Sequence, residues 1–397
     1  MRSVELFAGA GGLAMGISEA GFTHEAVLEW DRYACDTIRE NQRLGVEPVA
    51  SWPLYEADIK AFDYSGINEG PDLIAGGPPC QPFSLGGRHG GWNDDRDMFP
   101  EMVRAVRELR PKAIIVENVK GLLRRSFAKY FEYIVLQISY PELALKKDEK
   151  WSDHLSRLER HHVHGQKDGL FYRVVFRLLN AADYGVPQKR ERVIIVGFRQ
   201  DLETEWSFPR ATHSLDALLW RQWVTGEYWD RHEVPIKDRP SLSPRLKGRI
   251  MRLGTLFPPS ELPWATVRDA ISDLPAPEKR DQVTAIPNHE FNPGARSYHG
   301  HTGSLLDSPA KTLKAGDHGV PGGENMLARR DGRVRYFTVR ESARLQTFPD
   351  DYVFHGSWTE TMRQLGNAVP VLLGQVVAAD VGRSLRNPEI HSIASHS

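Results

Sequence analysis

Short apolar runs alternate with amphipathic segments through the first half of the chain. The runs fall at residues 4–7, 26–29, 73–75, 113–116, 173–179 and 193–197. Such runs, bounded by turn-forming or charged residues, read as buried strands. Between them apolar residues recur at spacings of three and four, most clearly over 98–109, which predicts helices with one core face. Strand–helix–strand repetition predicts an α/β fold with a mostly parallel, doubly wound sheet. Residues 146–167 break that rhythm with charge and four histidines. They are expected to form a surface insertion whose histidines are solvated.

From about residue 200 to 337 the alternation stops, and prolines, glycines and aromatics dominate. Helical patterning returns at 339–347 and 368–385. The expected organisation is therefore a large domain formed by 1–199 and 338–397, interrupted at 200–337 by a smaller, irregular, mostly β domain. Net charge is −1, so the chain as a whole does not advertise a polyanionic partner. Two local stretches do. One holds Arg231, Lys237, Arg239, Arg245, Lys247, Arg249 and Arg252; the other holds Arg329, Arg330, Arg333 and Arg335. A charge run is usually a solvated face, so each alone is weak evidence for phosphate contacts. Their shared location in the second half gives them weight.

The chain has only two cysteines and no Cys/His spacing of the zinc type, which argues for a reducing compartment and no metal. The first strand begins at about Ser3, leaving no room for a leader, and no apolar run approaches a membrane span. A cytoplasmic protein without a membrane partner is expected.

One of those cysteines stands in Gly76-Gly77-Pro78-Pro79-Cys80-Gln81-Pro82-Phe83-Ser84, directly after an apolar run. A lone cysteine is more often a small buried hydrophobe. In a rigid Gly/Pro turn it has little packing to gain, and a fixed, outward thiol suits a nucleophile. Upstream, Val4-Glu5-Leu6-Phe7-Ala8-Gly9-Ala10-Gly11-Gly12-Leu13 reads as a strand, a glycine turn and a helix start. Such a turn lets backbone approach a ligand at the switch point of a sheet. Glu29, about twenty residues on, can hold ribose hydroxyls. Trp30 offers a flat face for adenine, and Asp58 an acceptor for an exocyclic amine. Helix capping is the plain alternative for each acid. A nicotinamide dinucleotide is the competing ligand, but the turn lacks the Gly-x-Gly-x-x-Gly pyrophosphate pattern. S-adenosyl-L-methionine (AdoMet) needs no such cradle.

Three further blocks carry chemistry. Glu117-Asn118-Val119 ends a strand; Gln188, Arg190 and Arg192 alternate on one side before another; Gly366-Asn367 precedes the last helix. In this order, with Arg340-Glu341-x-Ala343-Arg344-Leu345-Gln346, the chain resembles the cytosine-5 DNA methyltransferases of the bacterial restriction-modification type. The matching blocks run from residue 3 to about 380.

The resemblance implies a Rossmann-like, AdoMet-dependent methyltransferase domain, with the target-recognition domain at 200–337. It implies a cofactor pocket of Phe7, Ala8, Gly9, Gly11, Gly12, Leu13, Glu29, Trp30, Asp58, Ile59, Pro79 and Asn367. Cys80 would add to position 6 of a flipped cytosine, activating position 5 toward the methyl group. Glu117 would hold ring N3 and the exocyclic amine, Arg192 the carbonyl oxygen, and Arg190 the cysteine and ring. Gln81, Ser84, Arg88, Asn118, Gln188 and Thr312 would touch DNA, the last in the Thr312-Leu313 pair. Residues 84–98 would close over the base. Double-stranded DNA is the implied partner, with a cognate restriction endonuclease as a functional one, and the enzyme is expected to act as a monomer. A tRNA cytosine-5 methyltransferase, a silent DNA-binding regulator and, weakest, a nicotinamide enzyme are the competing readings.

Overall fold

Buried Val, Ile, Leu and Ala runs form the inner strands of a seven-stranded sheet, and two largely exposed strands form its edges. The computed structural model describes residues 1–67, 70–79, 97–165, 169–255, 257–278, 285–299, 302–315, 325–329 and 331–387. The chain folds as two units. Met1–Leu179, Glu191–Pro209 and Asp351–Ser397 form the first; Asn180–Arg190 and Arg210–Asp350 form the second.

In the first unit the strands are β1 (Arg2–Leu6), β2 (Thr23–Glu29), β3 (Leu54–Glu56), β4 (Leu73–Gly76), β5 (Ala113–Val119), β6 (Tyr172–Asn180) and β7 (Glu191–Arg199). Their spatial order is β3-β2-β1-β4-β5-β7-β6. Strands β1 to β5 pair in parallel, so their C-terminal ends share one edge. β7 pairs antiparallel with β5 and sets Arg192 opposite Val119. One face carries a core built with α3 (Phe99–Leu109) and α4 (Ala128–Ser139). On the other, α1 (Gly12–Glu19) crosses the C-terminal helix Val371–Arg386. That crossing needs glycine: a Cβ at Gly16 would lie 2.4 Å from the Val371 carbonyl oxygen. α2 (Arg32–Leu44) starts at Asp31, whose side chain accepts from the Ala34 N–H.

Three expectations are corrected here. The insertion is not a solvated loop: it contains α5 (Trp151–Val163), whose Leu155 and Leu158 join the core. His154 is buried, its ring nitrogens meeting the Tyr133 hydroxyl at 2.7 Å and the Leu143 carbonyl at 2.6 Å. The stretch Trp358–Arg386 does have the length and apolar composition of a membrane span, but 67% of its apolar window is buried within the protein. It is a pair of core helices, Trp358–Asn367 and Val371–Arg386.

The third correction concerns the second unit. Among its described residues, short helices outweigh strands. They include α6 (Leu215–Leu219), α7 (Glu227–Arg231), α8 (Pro244–Leu253) and α9 (Val267–Ile271), besides Val339–Leu345. Side-chain caps from Ser214, Ser243, Thr266 and Thr338 start four of them, a local signal that proline and glycine content conceals. The strands are two or three residues long. Against the expected boundaries, 200–209 stay with the first unit, where the Trp206 indole donates to Asp380 (2.8 Å), and 338–350 join the second.

Candidate active site

The parallel order puts the ends of β3, β2, β1 and β4 side by side, and the chain switches direction between β1 and β4. Open α/β sheets bind ligands at such a point. The turn after β1 takes the left-handed region at Phe7 (φ 56°), Gly9 (φ 56°) and Gly11 (φ 81°). For a bulky residue such as Phe7 this is a strained conformation, of a kind that clusters at ligand sites. The turn is clamped from outside. Tyr352 donates to the Ala10 carbonyl at 2.6 Å, and the Trp52 ring sits where a Cβ on Gly11 would go, 2.7 Å away.

Glu29, at the end of β2, is buried and takes three backbone N–H groups: Gly9 at 2.7 Å, Trp30 at 2.9 Å and Asp31 at 2.7 Å. Burial still pushes its carboxyl above the ordinary range, against the pull of those donors. Trp30 beside it is 74% exposed, a bare indole face. Asp58 caps the turn Ile59–Ala61 through the Lys60 N–H (3.0 Å), so the capping alternative is real; among the described residues only Oδ1 is engaged. Phe7 and Ile59 join the apolar cluster under these strand ends, while the Leu13 side chain lies against Gly374 of the C-terminal helix. Ala8 and Gly12 are buried within the turn, and Pro79 is exposed beyond β4. Asn367 is exposed one turn after Arg363, which grips Asp31 at 2.9 Å. The long-range contact thus carries the end of the chain back to the β2 edge.

Between β5 and β7, Glu117 and Arg192 form an ion pair of 2.6 Å, nearly closed to solvent. Burial lowers the Arg192 pKa, and Glu117 opposes that shift. Gly77 makes room: a Cβ there would come within 3.0 Å of Glu117 Oε2. Asn118 is buried. Its amide donates to the Pro78 carbonyl (3.1 Å), and its oxygen accepts from the Val119 N–H (2.8 Å). Asn118 therefore pins the turn two residues before Cys80. Cys80, Gln81, Ser84, Arg88 and the rest of 80–96 lie outside the described residues. The other cysteine, Cys35, is buried in α2, and burial pushes its thiol up to about 12. It is inert filler.

In the second unit Gln188 and Arg190 serve the Thr312-Leu313 segment. Gln188 accepts from the Leu313 N–H (2.9 Å) and donates to the Leu345 carbonyl (3.1 Å) and to Gln346 (3.2 Å). Arg190 donates to the Leu313 carbonyl at 2.9 Å, and Thr312 to the Lys189 carbonyl at 2.7 Å. Gln188 is fully buried, which corrects its expected role at DNA: its polar groups are consumed in holding the segment.

Tyr352, Trp52 and Arg363 reach this end of the sheet from elsewhere along the chain and carry no local signal in the sequence. Glu5 is buried in β1, neither carboxyl oxygen has a hydrogen-bond partner among the described residues, and burial raises its pKa well above the ordinary range.

Residues 1–140 and 158–383 match the profile of the C-5 cytosine-specific DNA methylase family. The unmatched 141–157 overlap the insertion. The chain is 33% identical over 388 residues to the Type II methyltransferase M.PspPI of Psychrobacter sp. (strain TA137), covering 96% of this chain and 79% of that protein. It is 30% identical over 393 residues to the Type II methyltransferase M.NgoMIV of Neisseria gonorrhoeae, covering 97% and 98%. Among solved structures, Dnmt2 methyltransferase of S. pombe superposes with a TM-score of 0.55 at 17% identity, over 98% of this chain and all of that one. A DNMT2 triple mutant of Spodoptera frugiperda does so with 0.55 at 18%, over 96% and 99%. At such identities the likeness speaks for the fold alone.

Proposed function

The chain belongs to the C-5 cytosine-specific DNA methylase family and is a DNA cytosine-5 methyltransferase, and on that premise we propose how its residues carry the reaction. Cys80 is the nucleophile. Its thiolate forms a bond to position 6 of the ring, and the displaced electron pair makes position 5 able to take a methyl group. Loss of the position-5 proton then returns the pair, breaks the sulfur–carbon bond and releases the thiolate.

The observation that carries this reading is the Glu117–Arg192 ion pair at the sheet edge, over Gly77 and beside the turn leading to Cys80. Glu117 can accept from the exocyclic amine and face ring N3, where charge changes as sulfur adds. Arg192 can donate to the ring carbonyl. Asn118 acts by holding Pro78, and so positions the nucleophile turn. Within the second unit, Arg190 and Gln188 hold Leu313, and the Lys189 carbonyl holds Thr312.

AdoMet fits the glycine-turn end and, when bound, supplies the methyl group. Glu29 would hold the ribose hydroxyls and Trp30 the adenine face, with Asp58 Oδ2 left to accept from its amine. The backbone from Phe7 to Gly12 would pass along the methionyl part, with Asn367 at the rim. The substrate is cytosine flipped from double-stranded DNA. The biological setting we propose is cytoplasmic protection of host DNA against a cognate endonuclease, by a monomer.

The test is 5-methylcytosine sequencing of DNA from a methylation-free bacterium expressing this chain. Full modification of one short motif is expected, lost in Cys80→Ala while DNA binding remains. Methylated DNA from that variant would sink the mechanism, and unmodified DNA beside modified tRNA would replace the substrate.

A further inference from the structure

The two basic stretches part company once their partners are known. In the later one each described arginine between 329 and 335 faces a carboxylate: Arg329 meets Glu278, Arg333 meets Asp331 and Arg335 meets Glu341. Arg335 and Glu341 are buried together in a two-bonded fork. Arg335 is consumed inside the protein, while Arg329 and Arg333 each carry a carboxylate counter-charge at the surface, which sets this stretch behind uncompensated cations as a source of phosphate contacts; Arg330 lies outside the described residues. In the earlier stretch Arg231 is held by Asp269 (2.5 Å) and Arg249 by Asp216 (2.6 Å), and Arg239 stacks on Trp229. Arg245, Lys247 and Arg252 are different. All three are exposed on α8, and their side chains have no partner among the described residues.

α8 reads Pro-Arg-Leu-Lys-Gly-Arg-Ile-Met-Arg-Leu, with no acidic residue to offset its cations. It is anchored by buried Leu253, by Arg249 on Asp216 and by the Ser243 cap. At 100° per residue, Gly248 and Met251 lie on the opposite, outer face, flanked by Arg245 and Arg252 on one side and Lys247 on the other. Met251 is 74% exposed, and a Cβ on Gly248 would meet nothing within 4 Å. Glycine inside a helix weakens it, and no packing among the described residues asks for glycine here. Beside the helix lies an open recess of about 380 Å³ lined by Ser243, Arg245, Leu246, Arg249 and Arg252.

We infer that α8 is a phosphate-backbone contact of the second unit, with Arg245, Lys247 and Arg252 pairing phosphates of duplex DNA and Gly248 leaving the helix bare where the strand passes. The inference rests on the reading of this chain as a DNA methylase. Charge complementarity selects the occupant: uncompensated cations on an acid-free, exposed face suit a polyanion. Phosphate contacts position the protein and carry no base information. Affinity should therefore depend on α8, and the methylated motif should not.

The test is a salt series of duplex binding by fluorescence anisotropy with the full chain. Arg245→Gln, Lys247→Gln and Arg252→Gln together should lower the slope of log K against log salt by about 2.7, some 0.9 per phosphate. Gly248→Leu, which favours the helix, should weaken DNA binding several-fold while AdoMet affinity and melting temperature hold. The Arg329→Gln, Arg333→Gln pair should leave the slope unchanged. At low salt the triple variant should methylate the same motif as wild type. An unchanged slope in the triple variant, an equal loss in the control pair, or an altered motif would each overturn the inference. Wild type that neither binds nor methylates duplex DNA would overturn the substrate reading itself, a separate failure.

Discussion

At two points on one sheet edge a glutamate is buried, and each is satisfied by different means. Glu29 takes three backbone N–H groups at the end of β2. Glu117 takes one guanidinium, Arg192, at the end of β5. Backbone donors are fixed by the fold and cannot swing aside, so Glu29 sits in a rigid cradle suited to a ligand that is the same in every turnover. A side-chain partner can rotate, so Glu117 can exchange Arg192 for a base that enters and leaves. A third glutamate, Glu5 on β1, sharpens the contrast because it has neither kind of partner among the described residues.

Glu117→Gln should have the largest effect. It keeps the shape but loses the anionic acceptor, and kcat should fall by about 10³-fold, in the range of a lost charge-stabilising group. AdoMet affinity measured on the same variant should stay near wild type, which separates chemistry from misfolding. Equal loss of both would remove the distinction between the two ends.

Glu29→Gln should act on binding. The KM for AdoMet should rise by roughly 10- to 100-fold, the scale of one charge-assisted hydrogen bond, with kcat much less affected. A variant whose kcat collapses while its KM holds would break the comparison from the other side.

The smallest effect is expected for Glu5→Gln, on stability alone. The folded-state pKa of Glu5 is raised above its unfolded value of about 4.5 by burial. Wild-type stability should therefore fall as pH rises from about 4.5 toward the folded value, because only the unfolded chain ionises freely there. Glutamine does not titrate. Melting temperatures of the two proteins should be close below pH 4.5, and the variant should gain steadily toward neutrality. Parallel curves would mean that Glu5 has a partner in solution.

Much of this could be read before any coordinates. The runs at 4–7, 73–75 and 113–116 match β1, β4 and β5 to within a residue, as helix 98–109 matches α3. Glu29, Trp30, Asp58 and Glu117 stand at strand ends where an acid or a ring can face a ligand. Legibility failed wherever a partner was distant. His154 of the insertion looked solvated like its three neighbours because nothing nearby in the chain marks Tyr133 as its partner. Gln188 looked like a DNA contact because its three partners lie more than a hundred residues away.

The chain by itself determined the strand–helix alternation, the left-handed glycine turn, the acids at strand ends and the family. These depend on side-chain period, local sterics and residues adjacent in sequence. Tertiary structure alone decided which charges are spent and which remain. Arg245 and Arg333 are the same residue in similar company, yet Arg245 on α8 has no partner among the described residues and Arg333 is paired with Asp331. An ion pair is a matter of distance in space, and folding, not spelling, sets it.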